Sequence, residues 1–329
     1  MKIGRVLGGA VVVLVIIPVV AAVATVRLRD PGATPLPPQQ AHHVSASSAA
    51  CPKPAHFRPP LIGVAPGKSW GRKLTRFMQA THVKPQVVAQ YLQFGDPYNG
   101  ADACSVARDG AELLIQWDPW RISLQRIADG GWDQYITQFA RDVRAGQLPI
   151  VLSFGHEMNG NWYTWGYTKA SPRSFIAAWR HLHRLFTAAG ARNVTWCWDA
   201  NTWDPALAGH APNYGIGPPR LWWPGARYVD WVGLDAYYAR PTDTFRTVFQ
   251  YPLRALHGIA HKPVLIAETA AAAGPWQARQ IRTLFSGLRR TNVIGAVWFD
   301  GKGRYNWRLE GHPAAIAAFR AGARSLHNG

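Results

Sequence analysis

From residue 61 onward, short apolar runs recur along the chain, separated by stretches whose apolar residues return every three or four positions. The runs "LIGVAP" (61–66), "VVAQYLQF" (87–94), "ELLIQWDP" (112–119) and "LPIVLSFGHE" (148–157) read as buried strands. Further runs are "VTWCWDAN" (194–201), "VDWVGLDAYY" (229–238), "PVLIAET" (263–269) and "GAVWFD" (295–300), eight in all. Between the fourth and fifth, "SPRSFIAAWRHLHRLFTAAG" predicts a helix with Ser171 as N-cap, Pro172 in its first position and Gly190 at its end. Phe175, Ile176, Trp179, Leu182, Leu185 and Phe186 form its apolar face. "GWDQYITQFARDVRAG" and "AAIAAFRAGARSL" read the same way, whereas "YNGADACSVARDG", in the second unit, is too short and Gly-rich to mark a helix clearly. Strands that alternate with helices pair in parallel through crossovers, and eight such units predict a closed (β/α)8 TIM barrel.

Each run starts apolar and finishes polar or aromatic: Gln93, Asp118, His156 and Glu157, Asp199 and Asn201, Asp235 to Tyr238, Glu268, Trp298 and Asp300. In a barrel of this kind the C-terminal strand ends share one mouth, where catalysis takes place. Glu157 at the end of the fourth strand and Glu268 at the end of the seventh would therefore meet across that mouth. In the stretch "SFGHEMNGNWYTWG" (153–166) a histidine precedes Glu157, and two asparagines and three aromatic rings follow it. Flat apolar faces and hydrogen-bonding amides around an acid suit a sugar. Two carboxyl groups suit glycoside hydrolysis, in which one protonates the leaving oxygen and the other acts on the anomeric carbon.

At this point the motifs become specific. "GHEMNGNWYTWG" resembles the signature of glycoside hydrolase family 26, the β-mannanase family, in which a His-Glu pair closes the fourth strand of the barrel. The similarity extends to "IAET" (266–269), "VDWVGLDAYY" and "VWFDGKGRYNWR" (297–308), and so across residues 60 to 325. The resemblance implies retaining chemistry with Glu157 as acid/base and Glu268 as nucleophile. It implies that His156 orients the nucleophile and binds sugar hydroxyls, that Trp162 is a stacking platform on the leaving-group side, and that the Tyr237 hydroxyl contacts the nucleophile. Trp298 would be the ring beneath the sugar at the cleavage point. Asn201, Trp165 and, in the loops, Trp203, Trp222 and Trp223 are further candidates for lining the groove, and Asn159 reads as a turn residue. Since Tyr237 and Tyr238 alternate across a strand, only one can face inward. Three positions depart from the family pattern: Asp300 stands in place of an asparagine, "ETAAAAG" replaces an Glu-Thr-Gly continuation, and Gly155 precedes the histidine. They bear on the choice of sugar and remove no catalytic group.

Composition changes the picture in three places. The chain has 329 residues, 48% of them hydrophobic, which is enough for a large core; its 16 tryptophans exceed what a core needs and point to a ring-lined surface. A net charge of +18 comes from arginines spread singly along the chain, with no basic-aromatic run or zinc-finger spacing, so a nucleic-acid partner is not expected. No His/Cys/Asp/Glu spacing suggests a metal, and "GVAPGKSWGRK" (63–73) lacks P-loop spacing, so no cofactor is expected.

The N-terminal region is different in kind. Val6 to Val26 is an uncharged apolar run after Lys2 and Arg5, long enough to span a bilayer, while Ala22–Val23–Ala24 also fits a signal-peptide cleavage site. Residues 1–29 are thus a signal peptide or a membrane anchor, and either places the remainder outside the cytoplasm. Residues 30–59, rich in Pro, Ala and Ser, form a tether with no apolar period, and residues 60–329 form the barrel. His42 and His43 in the tether are not expected to bind metal. Cys51 and Cys104 lie in polar surroundings where export would permit a disulfide, a pairing the sequence leaves open, and Cys197 belongs to a strand core.

The expected function is a retaining endo-β-glycanase acting as a monomer on a polysaccharide, most simply β-1,4-mannan. A β-1,3/1,4-glucanase or xylanase on the same barrel, a lytic enzyme on the cell's own wall glycan, and a non-catalytic wall-polysaccharide binder are the alternatives.

Overall fold

The computed structural model describes residues 51–53, 58–67, 70–202, 216–303 and 305–327. The apolar run at 6–26, the tether through residue 50 with its two histidines, and Trp203 lie outside the described residues. Eight parallel strands close into a barrel in sequence order, with β8 returning to pair with β1. They are β1 (Leu61–Ala65), β2 (Val87–Gln93), β3 (Glu112–Asp118), β4 (Ile150–Phe154), β5 (Val194–Asn201), β6 (Trp231–Asp235), β7 (Val264–Thr269) and β8 (Val293–Phe299). The run-to-strand correspondence is close because parallel strands covered on both faces are apolar almost throughout, as the fully buried β1, β4 and β7 show.

Helices α1 (Trp70–Thr81), α2 (Gly100–Arg108), α3 (Leu124–Ala128), α4 (Asp133–Gly146), α5 (Pro172–Ala189), α6 (Phe245–His257), α7 (Gln277–Leu288) and α8 (Pro313–His327) surround the barrel. In α5 the Ser171 hydroxyl accepts from the Ser174 N–H at 3.0 Å, Gly190 terminates the helix at φ 73°, and Phe175, Trp179, Leu182 and Phe186 are buried. Burying each such side chain contributes about 1.5–3 kcal/mol. The segment whose helix signal is weak folds into α2: Asn99 Oδ1 caps it by accepting from the N–H groups of Ala101 and Asp102, and Cys104 and Val106 supply a small apolar face. That cap compensates for the poor helix propensity of a glycine start. Between β5 and β6 the described residues hold two 3-10 turns, Pro219–Trp222 and Ala226–Tyr228, and no α-helix. The prolines and glycines of "GIGPPRLWWPG" account for this, since proline has no N–H to donate and glycine loses the most backbone entropy in a helix.

Cys51 is joined to Cys104 on α2 by a disulfide, so the end of the tether is fastened to the outside of the second unit, and Cys197 is buried and free. A cross-link spanning 53 residues restricts the unfolded chain substantially. Replacing both cysteines by serine should lower stability by about 2–4 kcal/mol, or about 5–10 °C in Tm, with reductant lowering the wild type to the same value. Equal Tm values for oxidised, reduced and double-serine protein would show that the cross-link carries no stability.

Candidate active site

The β4 end is built by an unusual run of backbone. Gly155 and Glu157 both lie in the left-handed region, at φ 58° and 52°, with His156 between them. A glutamate there is strained and persists only where its surroundings hold it. They do so at several points: the Glu157 N–H donates to Asp199 O at 2.9 Å, and its carbonyl accepts from the Gly160 N–H at 2.9 Å. Asn159 then clamps the loop to β5, donating from Nδ2 to Asn201 O at 2.9 Å and accepting the Asn201 N–H on Oδ1 at 2.8 Å. The turn residue is therefore a cross-strand fastener as well.

Gly155 has a packing reason. A Cβ there would meet Trp165 at 3.1 Å and Phe175 at 3.2 Å. The space lets Trp165 lie flat on Tyr163, 4.3 Å between rings, and donate its indole N–H to His156 O at 2.9 Å. Trp165 is thus buried and holds the loop from beneath, so it does not line a groove. Trp222 is likewise buried, while Trp223 packs edge-on against Trp198.

The Glu157 carboxyl accepts from two donors, Asn201 Nδ2 on Oε1 and Trp162 Nε1 on Oε2 at 2.6 Å. Burial pushes this carboxyl up to about 7, opposed by the positive charge of His156 and by the two hydrogen bonds. Trp162 is half-buried and folds back over Gly160, where a Cβ would collide with the indole at 2.2 Å. His156 is spent on the protein: Nδ1 donates to Asp118 Oδ1 at 2.7 Å, and Nε2 lies 3.2 Å from the Tyr163 hydroxyl. Burial disfavours the imidazolium, but Asp118, with Glu157 and Asp199 nearby, outweighs it and lifts the ring to about 9. The imidazolium is thus set beside Glu157, and no contact joins it to Glu268. The expectation that it orients the nucleophile gives way to an electrostatic role toward the acid.

Glu268 owes its direction to a bulge. On the β6 side Gly233 and Asp235 pair with Leu265 and Glu268; on the β8 side Ala296 and Trp298 pair with Ile266 and Thr269. Three steps along β7 thus match two on each neighbour, which places an extra residue just before Glu268 and re-aims the side chain. The Tyr237 hydroxyl donates to Glu268 Oε1, whereas Oε2 has no partner among the described residues. Burial pushes this carboxyl up to about 8, and the tyrosine donor acts in the opposite direction by stabilising the ionised form. Tyr238 points the other way, onto Phe249 of α6.

Trp298 does not reach the mouth. It is buried against Phe319 of α8, 5.7 Å between rings, on the outside of the barrel. The inward residue is Phe299, whose ring lies 6.3 Å from Tyr237 and 6.4 Å from Tyr91. The ring that does lie on Tyr237 is Trp307, at 4.8 Å, from the loop after β8. Trp307 lies within the run 297–308 that resembles the family, yet a loop tryptophan carries no alternation by which to select it. Beneath the mouth lies a second set of buried acids. Asp199, held by Gln116 at 2.8 Å and lifted by burial to about 6, stands beside Asp235, which burial and the Asp199 charge hold well above its ordinary range. A cavity of about 1410 Å³ lies between α6 and α7, far from both glutamates, so volume does not mark the site. Among the described residues no cluster of three or more metal-ligating side chains occurs, and no helix is long and apolar enough to cross a membrane.

Residues 129–278 match the family described as "Glycosyl hydrolase family 26". Endoglucanase H of Acetivibrio thermocellus is 33% identical over 276 residues, 79% of this chain and 29% of that protein. "Mannan endo-1,4-beta-mannosidase A and B" of Caldalkalibacillus mannanilyticus is 26% identical over 129 residues, 37% of this chain and 21% of that protein. The chain thus spans less than a third of the length of either relative. Among solved structures, the catalytic domain of the Bacillus sp. JAMB-750 GH26 endo-β-1,4-mannanase shares the fold at a TM-score of 0.61 and 15% identity, over 81% of this chain and 86% of that one. The family model and the relatives support glycoside hydrolase family 26 for the barrel, and the solved structure shows the shared fold.

Two outcomes follow from this geometry. A carboxyl raised from 4.5 to about 8 on folding favours the native state less as pH rises across that window, since the unfolded chain sheds the proton first. Glu268→Gln should match wild type in Tm near pH 4.5 and exceed it at pH 8; an unchanged difference at both values would contradict burial as the cause. Trp298→Ala should cost about 3–5 kcal/mol of stability while leaving KM for substrate in place, as a ring packed outside the barrel requires.

Proposed function

From its similarity to that family and the geometry of the mouth, we propose that this chain is a retaining endo-β-glycanase that cleaves β-1,4-mannan outside the cytoplasm. The observation that carries the reading is the contrast between the two glutamates. Glu157 is buried with both oxygens held by neutral donors, and Glu268 has one oxygen held by Tyr237 and the other uncommitted. Burial raises the Glu157 carboxyl, so it can carry a proton near neutral pH, as a general acid must. Oε2 of Glu268, buried and without a partner among the described residues, has no hydrogen bond to give up when it attacks the anomeric carbon.

In the first step Glu157 gives its proton to the glycosidic oxygen as that bond breaks, and Glu268 Oε2 bonds to the anomeric carbon, forming a glycosyl ester. In the second, Glu157 takes a proton from water, the hydroxide oxygen attacks the same carbon, and the ester bond returns its electrons to Glu268. Two inversions give net retention. The Tyr237 O–H bond favours the ionised form of Glu268 and accompanies its oxygen into the ester. His156, cationic against Asp118, moderates the acid so that Glu157 releases its proton once the leaving oxygen accumulates charge. Trp162, next to the acid, would carry the leaving sugar. The cysteine pair, and the apolar run at 6–26 read as an anchor or signal peptide, support an extracytoplasmic site.

A second reading is favoured by one observation: the relative matched over most of this chain is named an endoglucanase. A β-glucan therefore stands beside mannan as substrate, with the same two glutamates in the same roles.

The test is turnover of β-1,4-mannan, mixed-linkage glucan, xylan and isolated wall glycan by the wild type, Glu157→Ala and Glu268→Ala, with the anomer followed by NMR. Retained configuration is expected, with kcat reduced at least about a thousandfold in both variants. Azide should restore turnover on activated substrates in each, giving a β-glycosyl azide with Glu157→Ala and an α-glycosyl azide with Glu268→Ala. Inverted product in the wild type would overturn the nucleophile assignment, and undiminished polymer binding without any turnover would make the barrel a binder.

A further inference from the structure

Two large apolar side chains are exposed among the described residues, Leu221 at 47% and Trp276 at 46%. Leu221 belongs to the short 3-10 turn after β5, and nothing around it is built to present it. Trp276 is different. It ends the loop from β7 and leads into α7, so by barrel topology it stands on the mouth side, on the loop that begins immediately after Glu268 and Thr269.

That loop is held firmly. The Ala273 N–H donates to Asn306 O at 2.7 Å, tying it to the loop after β8. Gln277, buried, donates from Nε2 to Ala271 O and Arg308 O, both at 3.1 Å, and Gln280, also buried, donates to Arg240 O at 2.6 Å. Three loops therefore converge on the first turn of α7, with Trp276 just before it. The indole is itself oriented: the Arg279 guanidinium lies over the ring, 5.2 Å from its centroid, and the same side chain donates to Pro241 O. An exposed tryptophan on a mobile loop is an incidental surface residue. Here the backbone is fixed, one face of the ring is capped by a cation, and about half of the side chain remains open to water.

Aromatic rings connect this position to the catalytic centre. Tyr237, which donates to Glu268, packs on Trp307 at 4.8 Å, and Trp307 packs on Tyr305 at 5.2 Å. Tyr305 neighbours Asn306, the residue that accepts from the Trp276 loop. The rings thus run from Tyr237 beside Glu268 to the loop after β8, to which the Trp276 loop is tied.

We infer that Trp276 is an outlying sugar-stacking platform on the glycone side of the cleft, the side opposite the leaving group, which takes a pyranose ring of an extended neutral β-linked chain several units from the cleavage point. The inference rests on the glycanase reading of the mouth and deepens it: such a platform benefits only a substrate long enough to reach it. Uniform stacking energy at a remote ring contributes to binding and not to the chemical step.

The test uses the full-length chain as wild type, Trp276→Ala and Trp276→Phe, with oligosaccharides of increasing length made from whichever polymer the wild type consumes. Trp276→Ala should lose about tenfold in kcat/KM on the longest oligomers, carried by KM, with the loss shrinking as the oligomer shortens. Trp276→Phe should recover most of it. An equal loss at every length, or none at any length, would overturn the platform. Affinity electrophoresis in gels containing each polymer gives a reading that needs no catalysis. Retardation of the wild type that is lost in Trp276→Ala upholds the platform even if no polymer is cleaved, an outcome that defeats the catalytic reading alone. Retardation that persists in Trp276→Ala, or a wild type retarded by no polymer, would overturn the platform.

Discussion

Desolvation of Glu157 and Glu268 is the constraint around which the mouth of the barrel is arranged. An ionised carboxylate removed from water costs several kcal/mol unless donors or counter-charges replace its hydration, and a protonated one loses its use as a nucleophile. The structure answers differently at the two positions. Around Glu157 it supplies two donors, from Trp162 and Asn201, and a cation, His156. Around Glu268 it supplies a single hydroxyl donor and leaves one oxygen without a partner. The first arrangement permits a proton to come and go; the second leaves an oxygen ready to bond to carbon.

Holding those groups requires backbone that is locally unfavourable. The left-handed conformation of Glu157 and the extra residue in β7 before Glu268 are departures from regular strand geometry, and each is secured by its neighbours. The Asn159–Asn201 exchange, the Trp165 indole under His156 O and the missing Cβ at Gly155 all act on the first. This is the physical sense of "GHEMNGNWYTW": two of its residues concern sugar chemistry, and most of the others keep the acid in a conformation it would not otherwise adopt.

The periodicity of the chain made the barrel legible, because eight buried parallel strands leave eight apolar runs and little else produces them. Strand ends marked the mouth for the same reason, and the paired tyrosines at 237 and 238 declared that one faced inward. What periodicity could not supply was the parity of β8. An extra residue near Gly295 shifts its pairing with β7, and a shift of one residue exchanges the two faces of a strand. Trp298 consequently faces α8, Phe299 faces Tyr237, and the aromatic role expected of Trp298 is open to Trp307, nine residues on, whose place depends on a loop path with no period to read. Helix α2 gave only a weak signal because its stability lies in an asparagine cap and a disulfide rather than in an apolar stripe. His156 was placed correctly at the mouth, yet its partners Asp118 and Tyr163 come from the third strand and a later loop, so its bonding could not be read from its own segment.

The two raised carboxyls also bear on how the roles divide. With one proton between them, the site has two arrangements of equal charge: proton on Glu157 with Glu268 ionised, or the reverse. Only the first can begin the reaction. The imidazolium beside Glu157 taken alone favours the wrong one, since it stabilises a charge on its neighbour. Two features act against it. The Tyr237 hydroxyl donates to Glu268 and so favours the anion there, and the buried Asp199 carboxylate repels a charge on Glu157. On the proposed mechanism, a glycosyl cation forming at the mouth would favour the first arrangement, because its positive charge would develop against the uncommitted oxygen of Glu268. A substrate would thereby select the working proton arrangement as it approached the transition state. Both carboxyls could then be left poorly solvated, because the reaction itself would supply a counter-charge for the nucleophile.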